Sequence, residues 1–241
     1  RWGNGDRDMK TLLWYSGGKD SLAVLLMSRK LWDSDDFTVA WVDTGNQFEE
    51  VYEHMERVKL YVKNFKTLKS NTIDWQLKHG RPVDLVPTSF DKTGKYIYGG
   101  GHYSPYVSRW ECCKANIWNP MAEFMNVFKP EVIIRGDRRE ERAEGVKEAN
   151  GMKLRLPIFD WTQKAVYSYI VAEAPKYGFL QPRHALEEGS SLDCMSCTAY
   201  NCEHKCRMEY LKQFHPGLYE ANRKFFERYR EDVFHDLKEL L

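Results

Sequence analysis

The sequence lacks any long hydrophobic run. No apolar stretch in its 241 residues approaches the roughly 18 to 20 that a membrane span needs. Residues 1–8, RWGNGDRD, also lack the apolar centre of a secretion signal. Neither sign of charge is in excess, because 36 Lys and Arg stand against 35 Asp and Glu. These absences predict a cytoplasmic protein without a membrane segment, and they leave nucleic-acid binding unsupported although not excluded.

Internal repeats and low-complexity segments are absent as well, and an aromatic content of 14% indicates a globular chain. We expect one large domain with an extension rather than several domains. The predicted domain covers residues 9–190. Residues 191–241 form a cysteine-rich segment and helices that pack on the same domain.

Strand and helix patterns alternate along the first part of the chain. Apolar runs typical of buried strands are separated by segments with helical spacing of apolar residues, which predicts an α/β fold with a parallel sheet. The predicted strands are KTLLWY, FTVAWVDTG, FKTLKS and EVIIRGD, and the predicted helices are DSLAVLLMSRKL and QFEEVYEHMERVKLYVKNF. Further on, PIFDWTQKAVYSYIVAEA predicts a helix capped by Asp160 or Thr162, and residues 208–241 predict one or two amphipathic helices.

The stretch SGGKDS, residues 16–21, joins the first predicted strand to the first predicted helix. A glycine pair there lets several backbone amides and the positive end of the helix dipole face one small volume, which predicts an anion site. Gly17 and Gly18 would admit phosphate oxygens, Ser16 and Ser21 would donate hydroxyls, and Lys19 would add a mobile positive charge. Asp20 would orient a metal ion, the loop or Lys19. The four-residue spacer of a Walker motif is missing, which disfavours a P-loop kinase or GTPase.

This loop resembles the pyrophosphate loop, or PP-loop, of the adenine-nucleotide alpha-hydrolase superfamily. VDTGNQFEE, RGDRREE and PIFDWTQKAVYSYI are similar to later motifs of its phosphoadenosine-phosphosulfate (PAPS) reductase relatives. The resemblance implies a doubly wound parallel sheet that binds ATP or an adenylylated sulfate. It further implies that Asp43, Thr44 and Gly45 line the nucleotide pocket and that Arg138 and Arg139 reach the charged end of the substrate. Taken alone, RGDRREER is also typical of a solvent-exposed, salt-bridged turn.

Six cysteines without a secretion signal favour metal binding or thiol chemistry over structural disulfides. The adjacent pair Cys112 and Cys113, with the distant Cys194 and Cys197, favours an iron-sulfur cluster over a single zinc ion. The same spacing resembles adenylylsulfate reductases, which implies a 4Fe-4S cluster. Two alternatives remain open: redox thiols, and a compact zinc site. The zinc site would use Cys194, Cys197, Cys202 and Cys206, with His204 as a substitute ligand.

We therefore expect an enzyme that binds ATP with Mg²⁺, and an iron-sulfur cluster, for sulfur transfer or sulfonucleotide chemistry at the α-phosphate. One alternative is a reductase of adenylylsulfate or its 3'-phosphorylated form that releases sulfite, with Cys202 as the nucleophile. His204 and Lys205 would then favour its thiolate. Another alternative is a component that modifies nucleic acid. Expected partners are an adenine nucleotide, a sulfur carrier, a thioredoxin-like protein, a partner subunit or a second copy of the chain.

Overall fold

The computed structural model describes residues 9–90, 104–141, 148–149, 151–180, 194–199 and 204–238. The chain forms two compact units, and each unit consists of three segments. The first unit contains residues 1–43, 48–69 and 120–185, and the second contains residues 44–47, 70–119 and 186–241. The predicted boundary at residues 190 and 191 lies outside the described residues and stays a prediction.

The first unit contains a six-stranded sheet that is parallel apart from one edge strand. Its strands lie in the order β3-β2-β1-β6-β8-β7, and only β7 runs antiparallel to its neighbour β8. The bounds are β1 Thr11–Trp14, β2 Phe37–Asp43, β3 Phe65–Lys69, β6 Val132–Ile134, β7 Glu148–Ala149 and β8 Met152–Arg155. The prediction of an α/β fold with a parallel sheet is confirmed.

Strand β1 lies at the centre of this sheet, where the strand order reverses. Thr11 pairs with Phe37 of β2 on one side and with Val132 of β6 on the other. The chain builds the sheet outward from β1 through β2 to β3, and later adds β6 on the opposite side of β1. Ligands of open parallel sheets bind at such a reversal, outside the carboxyl ends of the strands. The loops that follow β1 and β6 are therefore the first places to look for a site.

All but one of the described α-helices of the first unit bury apolar residues, because the parallel sheet needs cover. Helix α1 follows β1 directly, and its residues Ser21 to Leu26 are buried. Helix α6 packs against α1 and begins after Thr162, whose side chain accepts a hydrogen bond from the Ala165 amide at 3.2 Å. Thr162, rather than Asp160, is thus the cap. The bounds are α1 Lys19–Met27, α2 Glu49–Lys59, α5 Asn119–Phe128, of which Asn119 belongs to the second unit, and α6 Gln163–Glu173.

The second unit contains a parallel pair of three-residue strands, which the sequence did not predict. They are β4 Arg81–Val83 and β5 Tyr106–Ser108, and the unit's helices are α3 Thr72–His79, α4 Arg109–Cys113, α7 His204–Phe214 and α8 Pro216–Lys238. One turn of π-helix, Lys114–Trp118, continues α4. The predicted C-terminal helices are present as α7 and α8.

Helix α8 is fixed to the strand pair by an aromatic cluster of the second unit. Tyr229 is buried with Val83 and Tyr106, and Phe225 packs against them. The Tyr106 hydroxyl donates a hydrogen bond to Asp232. Burial and the Asp232 carboxylate raise the pKa of Tyr106. The amphipathic pattern read from the tail therefore corresponds to a helix with one packed face. Among the described residues, no helix is both long and apolar enough to cross a bilayer.

Candidate functional site

The loop between β1 and α1 has the conformation that an anion site requires. Gly17 has a φ of +78°, in the left-handed region that favours glycine. Gly18 caps the helix with an extended backbone, and its carbonyl accepts the first helical hydrogen bond from the Leu22 amide at 2.9 Å. The amides of residues 19–21 therefore precede the hydrogen-bond ladder of α1, at the positive end of its dipole.

The two serines of the loop are brought together across the glycine pair. Ser16 Oγ and Ser21 Oγ lie 3.0 Å apart, and the Gly18 amide donates to Ser16 Oγ at 3.3 Å. Ser21 Oγ also lies within hydrogen-bonding distance of the Gly18 carbonyl, at 3.0 Å. Both hydroxyls predicted to bind phosphate thus lie at the first turn of α1, beside the amides that precede its ladder.

Asp20 lies between two cations. Its Oδ2 is 3.6 Å from Lys19 Nζ, and its Oδ1 is 2.9 Å from Arg138 Nε. Arg138 also contacts Glu140, with 2.9 Å between Nη1 and Oε2, and only 4% of its side chain is exposed. The structure thus joins two motifs that are 118 residues apart, because the loop after β6 delivers Arg138 to the first turn of α1. Of the three roles considered for Asp20, orientation of Lys19 and of the loop matches these contacts.

Gly136 makes this meeting of the two loops possible. A Cβ at this position would lie 2.9 Å from the carbonyl carbon of Asp20 and 3.0 Å from the Ser21 amide nitrogen. Both neighbours are backbone atoms, so no side-chain rotation could relieve the overlap. The glycine of RGD therefore allows the strand-end loop to touch the start of α1, on which Arg138 then closes.

Arg139 has a different environment from Arg138. Its guanidinium pairs with Asp160, with 2.5 Å between Nη2 and Oδ1, and lies 4.8 Å from the centre of the Phe159 ring. Half of its side chain is exposed. The structure does not place Arg139 on the SGGKDS loop, and its predicted contact with substrate stays a prediction.

The predicted nucleotide turn is divided between the two units. Asp43 ends β2 in the first unit and accepts a hydrogen bond from the Tyr52 hydroxyl at 2.9 Å. Thr44 and Gly45 belong to the second unit. The Thr44 carbonyl accepts from the Thr72 amide at 2.9 Å, and Gly45 has a φ of +67°. A Cβ at Gly45 would lie 3.3 Å from the Ser70 carbonyl oxygen, so the start of α3 packs closely on this turn.

Residues 44–47 are held by the segment that carries Cys194 and Cys197. Cys194 Sγ donates to Thr44 Oγ1 at 3.3 Å, and the Met195 amide donates to the Asn46 carbonyl at 2.6 Å. The Asn46 side-chain amide donates to Ser196 Oγ. Two motifs with different predicted roles, nucleotide binding and metal binding, are therefore neighbours in the second unit.

Cys112 lies in the same unit and is buried on α4. Its sulfur accepts weak hydrogen bonds from Gln76 Nε2 at 3.8 Å and from Asn116 Nδ2 at 3.9 Å. Burial raises the pKa of Cys112, and these two donors partly offset that effect. Its neighbour Cys113 is partly exposed.

Two arginines, the partly buried Arg81 and the buried Arg207, hold the Cys194–Cys197 segment by its carbonyl groups. Arg81 donates to the Ser196 carbonyl at 3.2 Å and to Asn222 Oδ1 at 2.8 Å, and Arg207 donates to the Cys194 carbonyl at 2.8 Å. Burial lowers the pKa of Arg81 to about 10, Cys197 opposes this shift and Arg207 adds to it. Within the described part of the chain, neither arginine pairs with a carboxylate and both Nε groups are buried without an acceptor. This surplus of positive charge suits anionic sulfur at the cysteines.

The charge of this site fits a metal-thiolate centre. Over the described ranges, no three Cys, His, Asp or Glu side chains form a group that could hold a metal ion. Cys202 lies outside the described residues, as do the side chains of His204, Lys205 and Cys206. The iron-sulfur cluster, the compact zinc site and the nucleophilic role of Cys202 all stay predictions.

Two groups of residues near these motifs were not predicted from the sequence. His54 is fully buried on α2, and its Nε2 shares a hydrogen bond with the hydroxyl of Tyr15, the residue before the SGGKDS loop. Gln76, Asn46 and Ser196 form the polar contacts around the cysteines described above. A histidine among apolar residues of an amphipathic helix is the one signal in the sequence that could have indicated the first pair.

Comparisons with known proteins agree with these motifs. The family model described as "Phosphoadenosine phosphosulfate reductase domain" matches residues 10–200. An uncharacterized protein of Methanocaldococcus jannaschii is 25% identical over 230 residues, which is 90% of this chain and 41% of that protein. Sulfate adenylyltransferase subunit 2 of Streptomyces lavendulae is 26% identical over 184 residues, 68% of this chain and 54% of that protein. The chain thus spans about half or less of the length of these relatives.

Among solved structures, the PAPS reductase from Candida auris in a phosphate complex is similar, with a TM-score of 0.46 and 15% sequence identity. The similarity covers 68% of this chain and 73% of that one. The family match extends over most of the chain and includes the SGGKDS loop, the turn after β2, the RGD loop and the first four cysteines. The chain belongs to the phosphoadenosine phosphosulfate reductase domain family.

Proposed function

We propose that this chain is a PP-loop enzyme of sulfonucleotide metabolism that binds ATP at residues 16–21 and catalyses a displacement at its α-phosphate. One observation carries the proposal: the loops after β1 and β6 meet at the reversal point of the parallel sheet. There the amides of α1, two serine hydroxyls and two cations lie together. A helix start with convergent amides and cations is suited to a phosphate chain.

In this proposal the glycine pair and the amides of residues 19–21 bind phosphate oxygens. Ser16 and Ser21 would exchange their mutual contact for hydrogen bonds to the same oxygens. Lys19 neutralises charge on the departing pyrophosphate, and Asp20 holds both Lys19 and Arg138 in place. Asp20 already contacts two cations, so we assign Mg²⁺ to the triphosphate itself rather than to this carboxylate.

The reaction that we propose is a displacement at the α-phosphate. An acceptor oxygen forms a bond to the α-phosphorus, the bond to the bridging oxygen of the β-phosphate breaks, and pyrophosphate leaves with that electron pair. Charge grows on the leaving pyrophosphate, where preorganised amides and a lysine stabilise it most. Because two cations converge on this loop, a triphosphate suits it better than a sulfonucleotide with a single phosphate at that position. Sulfate is the first acceptor to test, given the name of the Streptomyces relative.

The test measures nucleotide affinity and product release with purified protein. We expect ATP with Mg²⁺ to bind by calorimetry, and Lys19→Ala to weaken binding by about tenfold or more, as loss of a charged contact to phosphate predicts. Lys30→Ala is the matched control, because Lys30 is exposed beyond the end of α1. Pyrophosphate release with sulfate or another acceptor supports the reaction. If Lys19→Ala and Lys30→Ala bind ATP equally well, the loop is not the phosphate site.

The reductase alternative has its own observation, namely the buried cysteine site beside residues 44–47. It requires sulfite release from adenylylsulfate or PAPS in the presence of a reduced thioredoxin-like protein or dithiothreitol. Sulfite without pyrophosphate chemistry would favour this reaction over the ATP reaction. If sulfite release persists in Cys202→Ser, the nucleophile lies elsewhere.

A further inference from the structure

A chain of three hydrogen bonds joins residues 44–47 to Cys112. Asn46 Nδ2 donates to Ser196 Oγ, and Ser196 Oγ donates to Gln76 Oε1 at 2.7 Å. Gln76 Nε2 then donates to Cys112 Sγ at 3.8 Å. The three links cross from the turn after β2, through the segment of Cys194 and Cys197, to α3 and finally to α4.

The direction of this chain follows from the orientation of the Asn46 amide, whose Nδ2 faces Ser196 Oγ. An amide nitrogen can only donate, so the Ser196 oxygen accepts from Asn46 and must use its single proton elsewhere. That proton goes to the oxygen of Gln76, which leaves the Gln76 nitrogen directed at the Cys112 sulfur. Ser196 therefore determines which end of the Gln76 amide meets Cys112.

Asn46, Gln76 and Cys112 are buried and Ser196 is partly buried, so water would replace a link lost at Gln76 or Cys112 poorly. The exposed fractions of Asn46, Gln76 and Cys112 are 2%, 7% and 6%. A buried glutamine is costly unless both of its polar ends are paired. Both polar atoms of the Gln76 side chain are paired, Oε1 with Ser196 and Nε2 with Cys112. The side chain therefore links the two cysteine-bearing segments.

We propose that Gln76 is a positioning residue that holds Cys112 against the Cys194–Cys197 segment, so that the two cysteine pairs act as one sulfur site. The inference goes beyond the proposed function, since it does not depend on nucleotide binding. It concerns the spacing of the sulfurs and holds whether they bind a metal or react as thiols.

Three variants separate the links. Gln76→Leu removes both hydrogen bonds of the side chain at similar volume, and Gln76→Glu keeps the acceptor for Ser196 but removes the donor to Cys112. Ser196→Ala removes the group that orients Gln76. Thr198→Val is the matched control, because Thr198 is 1% exposed in the same segment and donates to the Pro82 carbonyl at 2.8 Å without touching the chain of hydrogen bonds.

Two readouts are taken on each protein purified under argon, with the thermal unfolding midpoint measured alongside. The first is iron and zinc per chain. The second is the fraction of Cys112 found by mass spectrometry in a disulfide with Cys194 or Cys197 after brief oxidation by diamide. If the wild-type protein contains metal, the variants are compared by their iron and zinc content. If it contains none, they are compared by the disulfide-linked fraction of Cys112.

We expect Gln76→Leu and Ser196→Ala to lower the metal content, or in metal-free protein the linked fraction of Cys112, about five- to tenfold, as loss of a buried hydrogen bond predicts. Gln76→Glu should lower the same quantity. Thr198→Val should stay within about twofold of wild type, even if its unfolding midpoint falls as far as those of the Gln76 variants. The proposal is overturned if Thr198→Val and the Gln76 variants change the readout equally. It is also overturned if wild-type protein has neither metal nor linked cysteines. Should Gln76→Leu fail to fold, Gln76→Glu and Ser196→Ala decide.

Discussion

Replacing Gly136 with alanine tests whether the contact between the RGD loop and α1 builds the proposed phosphate site. The new Cβ would lie 2.9 Å from the Asp20 carbonyl carbon, 3.0 Å from its oxygen and 3.0 Å from the Ser21 nitrogen. These are backbone atoms at the helix start, so the loop or the helix must move by several tenths of an ångström. Overpacking of this kind costs about 1–3 kcal/mol.

The movement would also separate Arg138 from Asp20, whose charged atoms are 2.9 Å apart. We therefore expect Gly136→Ala to lower the free energy of unfolding by about 1–3 kcal/mol in urea titrations. ATP affinity should fall beyond that of the control, because the displaced atoms belong to the amides assigned to phosphate.

Gly217→Ala is the control for this experiment. A Cβ there meets nothing within 4 Å, and the residue lies in the first turn of α8. Alanine should be neutral or stabilising by up to about 1 kcal/mol at such a position. If Gly136→Ala has the same free energy of unfolding and the same ATP affinity as the Gly217 variant, the close contact does not build the phosphate site and the two loops do not act together.

Three further predictions concern charge and metal. Asp20→Ala should lower the free energy of unfolding by about 1–3 kcal/mol, because Arg138 stays buried with one carboxylate fewer; a urea midpoint equal to wild type would contradict this. Burial and Asp232 raise the pKa of Tyr106, so the folded state keeps a proton that the unfolded state loses above pH 10. Wild-type stability should therefore fall as the pH rises above 10 and fall less steeply in Tyr106→Phe; equal slopes in alkaline denaturation would refute that linkage. Protein purified without oxygen should be brown and contain iron, and Cys113→Ser should lower the iron content per chain. Colourless protein with zinc would favour the compact site.

The sequence was sufficient for elements whose signal is local. Strand β1, helix α1 and the loop between them follow from apolar runs interrupted by SGGKDS, and each is where the pattern predicted it. Strands β4 and β5 were missed because three residues, one of them Pro82, are too short for a period to be recognised. Their existence depends on pairing between segments 25 residues apart.

The site was predictable in its residue types but not in its contacts. SGGKDS and RGD were each recognised, yet nothing in either motif indicates that Arg138 pairs with Asp20. Gln76 carries no local signal, because its role comes from partners 36 and 120 residues away. Such pairings depend on tertiary structure, which brings together side chains that no periodicity connects.

The course of the backbone through the two units has a practical consequence for protein engineering. The chain passes from one unit to the other five times, so cutting the polypeptide at one point isolates neither unit. A truncation after residue 190 would remove Ser196, the hydrogen-bond partner of Asn46 and Gln76, and would leave both side-chain amides in place. We expect such a fragment to aggregate, since buried polar groups and apolar surface would be exposed together. Tags and fusion partners therefore belong at the ends of the whole polypeptide.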